Sequence, residues 1–308
     1  MKIAVVVVTY NRLDKIKRAL SAYEQQKTHF DDLIVVDNKS TDGTREFLSE
    51  WRGQSGVSQR HVILMDQNMG SSAGFHDGCE YALSLGPDWI FIADDDAYLA
   101  DDAVSIFKDF AEKDRESRLS AVCASVLRLN GEYAYVHRKN FKMKYGFLPR
   151  FSNCGQKEYD KDYFHLDIFS YVGTFMKADC LRRAGLCNRD FFIYYDDTEH
   201  SVRMKKYGDI ICIPRMKIYH DDGADTERKT SEAPVTWRNY YAVRNVVFFY
   251  LHLSALAGFL LAVDLFLKSF WQHKNRVERK MIQNAIYDGL SGKLGLHGKY
   301  RPGFVCDL

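Results

Sequence analysis

No glycine-rich dinucleotide fingerprint follows the first apolar run of this 308-residue chain. A GxGxxG turn lets a pyrophosphate approach the backbone, so its absence after Ile3 to Val8 argues against a nicotinamide enzyme. The lack of a Gly-rich, Lys-bearing loop there argues against a nucleotidyltransferase. Charge of one sign is scarce: 43 Lys and Arg stand against 41 Asp and Glu, and a net +2 is too little for nucleic-acid binding. The seven cysteines, Cys79, Cys123, Cys154, Cys180, Cys187, Cys212 and Cys306, are odd in number and contain no CxxC pair, which argues against both a disulfide framework and a zinc site. A reducing cytoplasm suits them. Repeats and low-complexity tracts are missing too. The first apolar run is too short for a signal-peptide core and meets Thr9-Tyr10-Asn11-Arg12 without a small-residue cleavage site. With 46% hydrophobic and 27% charged residues, neither disorder nor a polytopic membrane protein is expected.

What is present is an alternation of β and α patterns. Ile3 to Val8, Leu33 to Val36, Val62 to Met65 and Trp89 to Ala93 read as buried strands, the first two continuously β-branched or Leu-rich as in parallel sheets. Helical spacing links them, through Leu13, Ile16, Leu20 and Tyr23, and again through Tyr81 and Leu83. The fold class is therefore α/β, a doubly wound, mostly parallel sheet with helices on both faces. A further strand is expected near Ala121 to Val126. Residues 127–166 give no readable pattern and are taken as a substrate-side insertion. Then come order at Phe169 to Met176, a short helix from Ala178, a helix from Asp197 to Tyr207, and two short closing strands, Ile210 to Ile213 and Ile218-Tyr219.

Polar residues fall where such sheets bind ligands, beyond the carboxyl ends of strands. Thr9-Tyr10-Asn11, Asp37-Asn38, Asn68-Met69-Gly70 and Asp94-Asp95-Asp96 each follow a predicted strand. Asp94 and Asp96 share one side of an extended chain, a fitting pair for a hard divalent cation that also binds phosphate oxygens. A solvated turn capping a helix near Asp101 would use the same residues, but convergence with three other loops favours the cation. Asp37 could accept the ring N–H of a uracil or thymine, and Asn68 to Gly74 is a small-residue loop suited to a ribose or phosphate. Tyr194-Tyr195-Asp196-Asp197-Thr198-Glu199-His200 gathers three acids at a helix start; crowding raises carboxylate pKa values, as a general base requires, although capping also favours acids there. His220, at another strand end, is a candidate metal ligand by position.

In this order the motifs resemble those of the family 2 glycosyltransferases of GT-A fold, over roughly residues 3 to 222. The resemblance implies that Thr9, Tyr10, Asn11, Arg12 and Asp37 hold the nucleotide of a sugar donor, with Asn68, Gly70, Asp94 and Asp95 on the same side. It implies a metal bound by Asp94, Asp96 and His220, and an acceptor-side strand at Gly173, Thr174 and on to Lys177. Tyr195, Asp196, Glu199 and His200 then flank the acceptor, with Asp197 as the catalytic base. A nitrogen ligand favours Mn²⁺ over Mg²⁺. Asp-Asp-Asp with Tyr-Asp-Asp-Thr-Glu-His looks most like bacterial galactofuranosyltransferases, with rhamnosyltransferases close behind. The implied donor is UDP-galactofuranose, or alternatively a dTDP-sugar, dTDP-rhamnose. The implied acceptor is a glycan or polyprenyl-diphosphate-linked glycan in cell-surface polysaccharide synthesis, such as O-antigen or capsule. A polyprenyl-phosphate sugar transferase and a non-catalytic sugar-nucleotide or glycan-binding module are the remaining alternatives.

Residues 1–234 are expected to form the catalytic domain, with a nucleotide-binding half to about 126 and an acceptor-side half from 127. Residues 235–308 are expected to be a helical region. There Trp237, Arg238, Tyr240, Tyr241 and Arg244 precede the apolar stretch Val246 to Val263, and Lys268, Lys274, Arg276, Arg279 and Lys280 follow it. Aromatic and basic flanks suit the headgroup layer, which would place the protein in the cytoplasm at the inner face of the membrane. The alternative covers for that stretch are the catalytic domain itself or a homo-oligomer interface.

Overall fold

The computed structural model describes residues 1–113, 118–221, 234–272 and 275–306; Lys274 lies outside them. The amino-terminal half alternates as the sequence pattern predicts: β1 (Ile3–Thr9), α1 (Leu13–Glu24), β2 (Asp32–Asp37), α2 (Thr44–Gly53), β3 (Gln59–Leu64), α3 (Gly70–Ser84) and β4 (Trp89–Asp94). Strands β3, β2, β1 and β4 lie side by side and parallel. Every residue of β1 and β2 is buried, which is why their apolar runs are unbroken.

Beyond β4 the chain forms β5 (Ala97–Leu99), α4 (Ala103–Ala111), β6 (Leu119–Arg128), β7 (Arg138–Lys144), β8 (Leu148–Asn153), α5 (Gln156–Tyr159), β9 (Phe164–Leu166), β10 (Ile168–Phe169), β11 (Thr174–Lys177), α6 (Ala178–Ala184), α7 (Asp196–Met204) and β12 (Asp209–His220). Strand β11 enters antiparallel between β4 and β6, β12 runs parallel to β6, and β5 pairs antiparallel with the end of β12. The unreadable stretch holds a β7–β8 hairpin, joined by β10 into a small separate sheet, and ends in β9, which pairs with β12 in the main sheet. The hairpin strands are half exposed and carry Lys and Arg, so no apolar alternation marks them. The two expected closing strands are one strand, β12, with a register shift between Ile213 and Lys217.

The two faces of the sheet carry separate apolar cores. Tyr23, Phe30, Phe91, Phe107 and Phe175 pack on one, and Phe75, Ile90, Tyr171, Met176 and Met204 on the other. All seven cysteines are buried, six in the second of these cores and Cys306 in the tail cluster. A third cluster belongs to the tail helices α8 (Trp237–Leu253), α9 (Ala255–Gln272) and α10 (Arg276–Ser291), and includes Phe192 from the loop before α7. The expected single apolar stretch is broken at Ser254, whose extended backbone ends α8. The headgroup role expected of Tyr240, Tyr241 and Arg244 is overturned: they are 1%, 0% and 1% exposed, because α8 turns that face onto the loop before α7 and onto α10.

Candidate active site

The four loops beyond β1, β2, β4 and before α3 are stitched together by their own polar groups. The Asn11 amide donates to Ser40 Oγ at 2.8 Å and Asn11 Oδ1 accepts from the Thr41 amide at 2.7 Å. Asn38 Nδ2 donates to Gly70 O at 2.7 Å, and Asn68 Oδ1 accepts from the Gly70 amide at 2.9 Å. Thr9 Oγ1 donates to Asp95 Oδ2 at 2.7 Å. Tyr10 stands exposed at the rim.

Two of the expected donor-side residues are held by partners within the protein. Asp37 is fully buried, and its carboxylate accepts from the Ser40 amide and from Arg45 Nε at 2.8 Å. Arg12 reaches the acidic loop: its Nη1 lies 3.0 Å from Asp95 Oδ1 and 2.7 Å from Asp96 Oδ2. Lys15 adds a second cation 3.6 Å from Asp96 Oδ2. Neither Arg45 nor Lys15 carries a local sequence signal beyond its helix.

Asp94, Asp96 and His220 offer ligand atoms that all lie within 4.8 Å of one another. The pairing of β12 with β5 creates this meeting, since His220 lies opposite Ala97, just after the acidic loop. His220 Nε2 is 3.1 Å from Asp96 Oδ1, and its ring meets that of the half-buried His137 edge to face at 5.2 Å. Burial first, then the Asp96 charge, pushes the Asp94 carboxyl up to about 7. Burial works the same way on Asp96, but His220, Arg12 and Lys15 more than offset it and hold that carboxyl below its usual range. Two neighbouring carboxylates, Asp96 buried and Asp94 half-buried, with an imidazole fit a divalent cation, whose charge would offset both the burial and the repulsion that raise Asp94.

The acceptor-side residues lie along β11 and the α7 entrance. Gly173 has φ +74°, and a Cβ there would come within 2.8 Å of Ile218 Cγ2, so this position admits no side chain. Thr174 is buried, donating to Ser170 O at 2.8 Å. The fully buried Arg138 guanidinium donates to the Ala124, Val172 and Gly173 carbonyls and fixes this segment from behind. Asp196 is buried and pushed up to about 7 by burial and by its neighbour Asp197. Asp197 is half-buried; its Oδ1 accepts from the Thr198 amide and hydroxyl. Burial raises its pKa although those bonds oppose the rise.

Glu199 and His200 do not join this group. Glu199 is paired with Arg203 at 2.6 Å. His200 is 1% exposed, its ring nitrogens 2.8 Å from Tyr171 Oη and 3.1 Å from Gly185 O, and burial depresses its pKa to about 3. It is a neutral core histidine, because α7 turns that face inward.

The loop before α7 is strained. Phe192, Tyr194 and Tyr195 have φ of 69°, 68° and 67°, in the region that favours glycine. Tail residues hold it there. Asn245 Nδ2 donates to the carbonyls of Phe191, Ile193 and Tyr194 at 2.9, 2.8 and 3.0 Å, and Arg244 Nη2 to those of Asp190 and Phe191 at 3.1 and 2.9 Å. Phe192 also stacks on Tyr241, and its carbonyl accepts from the Ser72 amide at 3.3 Å. A Cβ at Gly70 would collide with that carbonyl.

Residues 4–180 match the model of glycosyl transferase family 2. The chain belongs to that family. A galactofuranosyltransferase, GlfT1 of Mycolicibacterium smegmatis, is 38% identical over 102 residues, covering 33% of this chain and 32% of that protein. The chain thus aligns with about a third of that relative's length. The dTDP-rhamnosyl transferase RfbF of Shigella flexneri is 23% identical over 248 residues, 78% of this chain and 77% of the relative. Among solved structures, S. aureus TarS 1-349 with UDP-GlcNAc superposes with TM-score 0.59 at 17% identity, covering 94% of this chain and 82% of that one. GalNAc-T7 with UDP, GalNAc and Mn²⁺ gives 0.62 at 11% identity, with coverage of 94% and 56%. At these identities the two structures establish the GT-A fold and no more.

Proposed function

We propose that the chain is a metal-dependent, inverting glycosyltransferase that moves a sugar from a nucleoside diphosphate to a hydroxyl of a glycan or lipid-linked glycan in cell-surface polysaccharide synthesis. The observation that carries this reading is the meeting of Asp94, Asp96 and His220 in the crevice where the loops beyond β1, β2 and β4 converge. Asp94, Asp96 and His220 would hold Mn²⁺ or Mg²⁺, and a bound cation supplies charge neutralisation for a departing diphosphate. Arg12 and Lys15, beside the acids, are placed to release them to the cation and turn toward phosphate oxygens. Asn38, Asn68 and Gly70 shape the donor loop at the start of α3, where a Cβ is excluded. Asp197 takes the acceptor proton at Oδ2, since Thr198 engages Oδ1; a single displacement inverts the anomeric carbon.

The donor is UDP-galactofuranose, supported by the relative at 38% identity, with dTDP-rhamnose as the second reading, supported by the more extensive match to RfbF. Such an enzyme works in the cytoplasm at the inner membrane face, where lipid-linked acceptors are met. A panel of UDP- and dTDP-sugars, assayed for transfer and donor hydrolysis with Mn²⁺ and with excess EDTA, tests both levels. Turnover of one of the two donors, abolished by EDTA and restored by Mn²⁺, is expected. Full activity in EDTA would overturn the metal assignment, and turnover of another sugar nucleotide alone would overturn the donor.

A further inference from the structure

The outer face of α9 is apolar where a soluble protein's helix would be polar. Leu256, Phe259, Leu260, Val263, Phe266, Leu267, Phe270 and Trp271 are between 40% and 72% exposed. They recur every three or four residues and so form one stripe along the whole helix. The opposite face carries the small buried residues Ala257, Gly258, Ala262 and Ser269, against which α8 and α10 close. The one ion pair of the helix among its described residues, Asp264 with Lys268, sits at the margin of the stripe.

Charge identifies the partner. From Trp237 onward the chain has ten Lys and Arg against four Asp and Glu, while the remainder has 33 against 37. Arg276 and Lys280, just beyond Trp271, are exposed. We infer that α9 lies flat on an anionic lipid surface, its apolar stripe among the acyl chains and the flanking cations at the headgroups. The helix is long and apolar enough to cross a bilayer, with mean hydropathy 1.3 over its 18 residues. Crossing would nonetheless drag its packing partners α8 and α10, with buried Arg244 and Asp288, into hydrocarbon. The inference rests on surface chemistry alone and stands whichever sugar donor the active site uses.

The test is flotation of the full chain with vesicles of phosphatidylcholine, with or without phosphatidylglycerol, alongside sizing without lipid. Wild-type protein should float with the anionic vesicles and less with the neutral ones. A Phe259→Ser, Phe266→Ser double variant should lose binding by roughly tenfold or more, as two interfacial rings predict. Its transfer to a soluble acceptor and its melting temperature should be unchanged, since neither ring contributes to the packed face. Wild-type protein that stays at the bottom of the gradient, or a variant that floats equally well, would overturn the proposal. So would a wild-type dimer that the double substitution splits, which would assign the stripe to a second copy of the chain.

Discussion

Two adjacent carboxylates at the start of α7 stand in different surroundings, and the proposed base is the less buried of them. Asp197 is the more exposed and already holds one oxygen in its own helix turn, whereas Asp196 is 6% exposed. Asp197→Asn keeps that turn and removes the base, so kcat should fall by about 10² to 10⁴ while donor affinity, read by calorimetry, stays within a few fold. An unimpaired variant would transfer the role to Asp196. Asp196 itself makes a prediction about stability. Its folded pKa of about 7 lies above the unfolded 3.8. The folded protein therefore binds the extra proton in that interval, and the stability this gives below pH 3.8 is lost as pH rises through about 7. In Asp196→Asn the decline of melting temperature between those values should be shallower than in wild type; identical slopes would show that Asp196 does not cause it.

Among the elements, the loop 190–195 depends most on a distant one. Left-handed backbone at a non-glycine residue costs about 1–3 kcal/mol and persists only when neighbours over-determine it. Asn245→Ala removes the one amide nitrogen that serves the Phe191, Ile193 and Tyr194 carbonyls; Phe191 keeps its bond from Arg244, and a group left orphaned costs about 1–3 kcal/mol. We expect a lower melting temperature and a kcat loss larger than any rise in donor KM, because the loop runs directly into Asp196–Asp197 and meets the donor loop only through the Phe192 carbonyl. A pure KM effect would refute this. Gly70→Ala should be worse, since its Cβ meets the Phe192 carbonyl and the φ of +83° is strained for alanine. Legibility in the sequence follows the same division. Strands β1, β2 and β4 were legible because burial on both faces demands unbroken apolar runs. Strand β5, three residues long, is too short for periodicity, and Pro214 with the register shift made β12 look like two strands. Arg138, Arg244 and Asn245 are fully buried polar residues whose partners are carbonyls 14 to 54 positions away, and no local spacing announces such contacts. The acidic cluster was legible because its loops follow strands, whereas the pairing of Arg12 with Asp95 and Asp96 across more than 80 residues was not.

At the scale of the molecule, the described residues form three apolar clusters, and Phe192 belongs to the tail's cluster although its loop leads into α7. Removing everything after residue 234 should leave the two cores of the sheet intact and abolish transfer, with Phe192 newly exposed. Circular dichroism and an activity assay on that truncation check both parts, and retained activity would make the tail dispensable. The contacts of Arg244 and Asn245 bear equally on exchange of parts between relatives. A chimaera that imports an acceptor half from another enzyme but keeps this tail would present the wrong donors to its 190–195 carbonyls. Acceptor preference should therefore be transplantable only when the segment from β7 through α7 travels together with α8, as one inherited module split in sequence by β12.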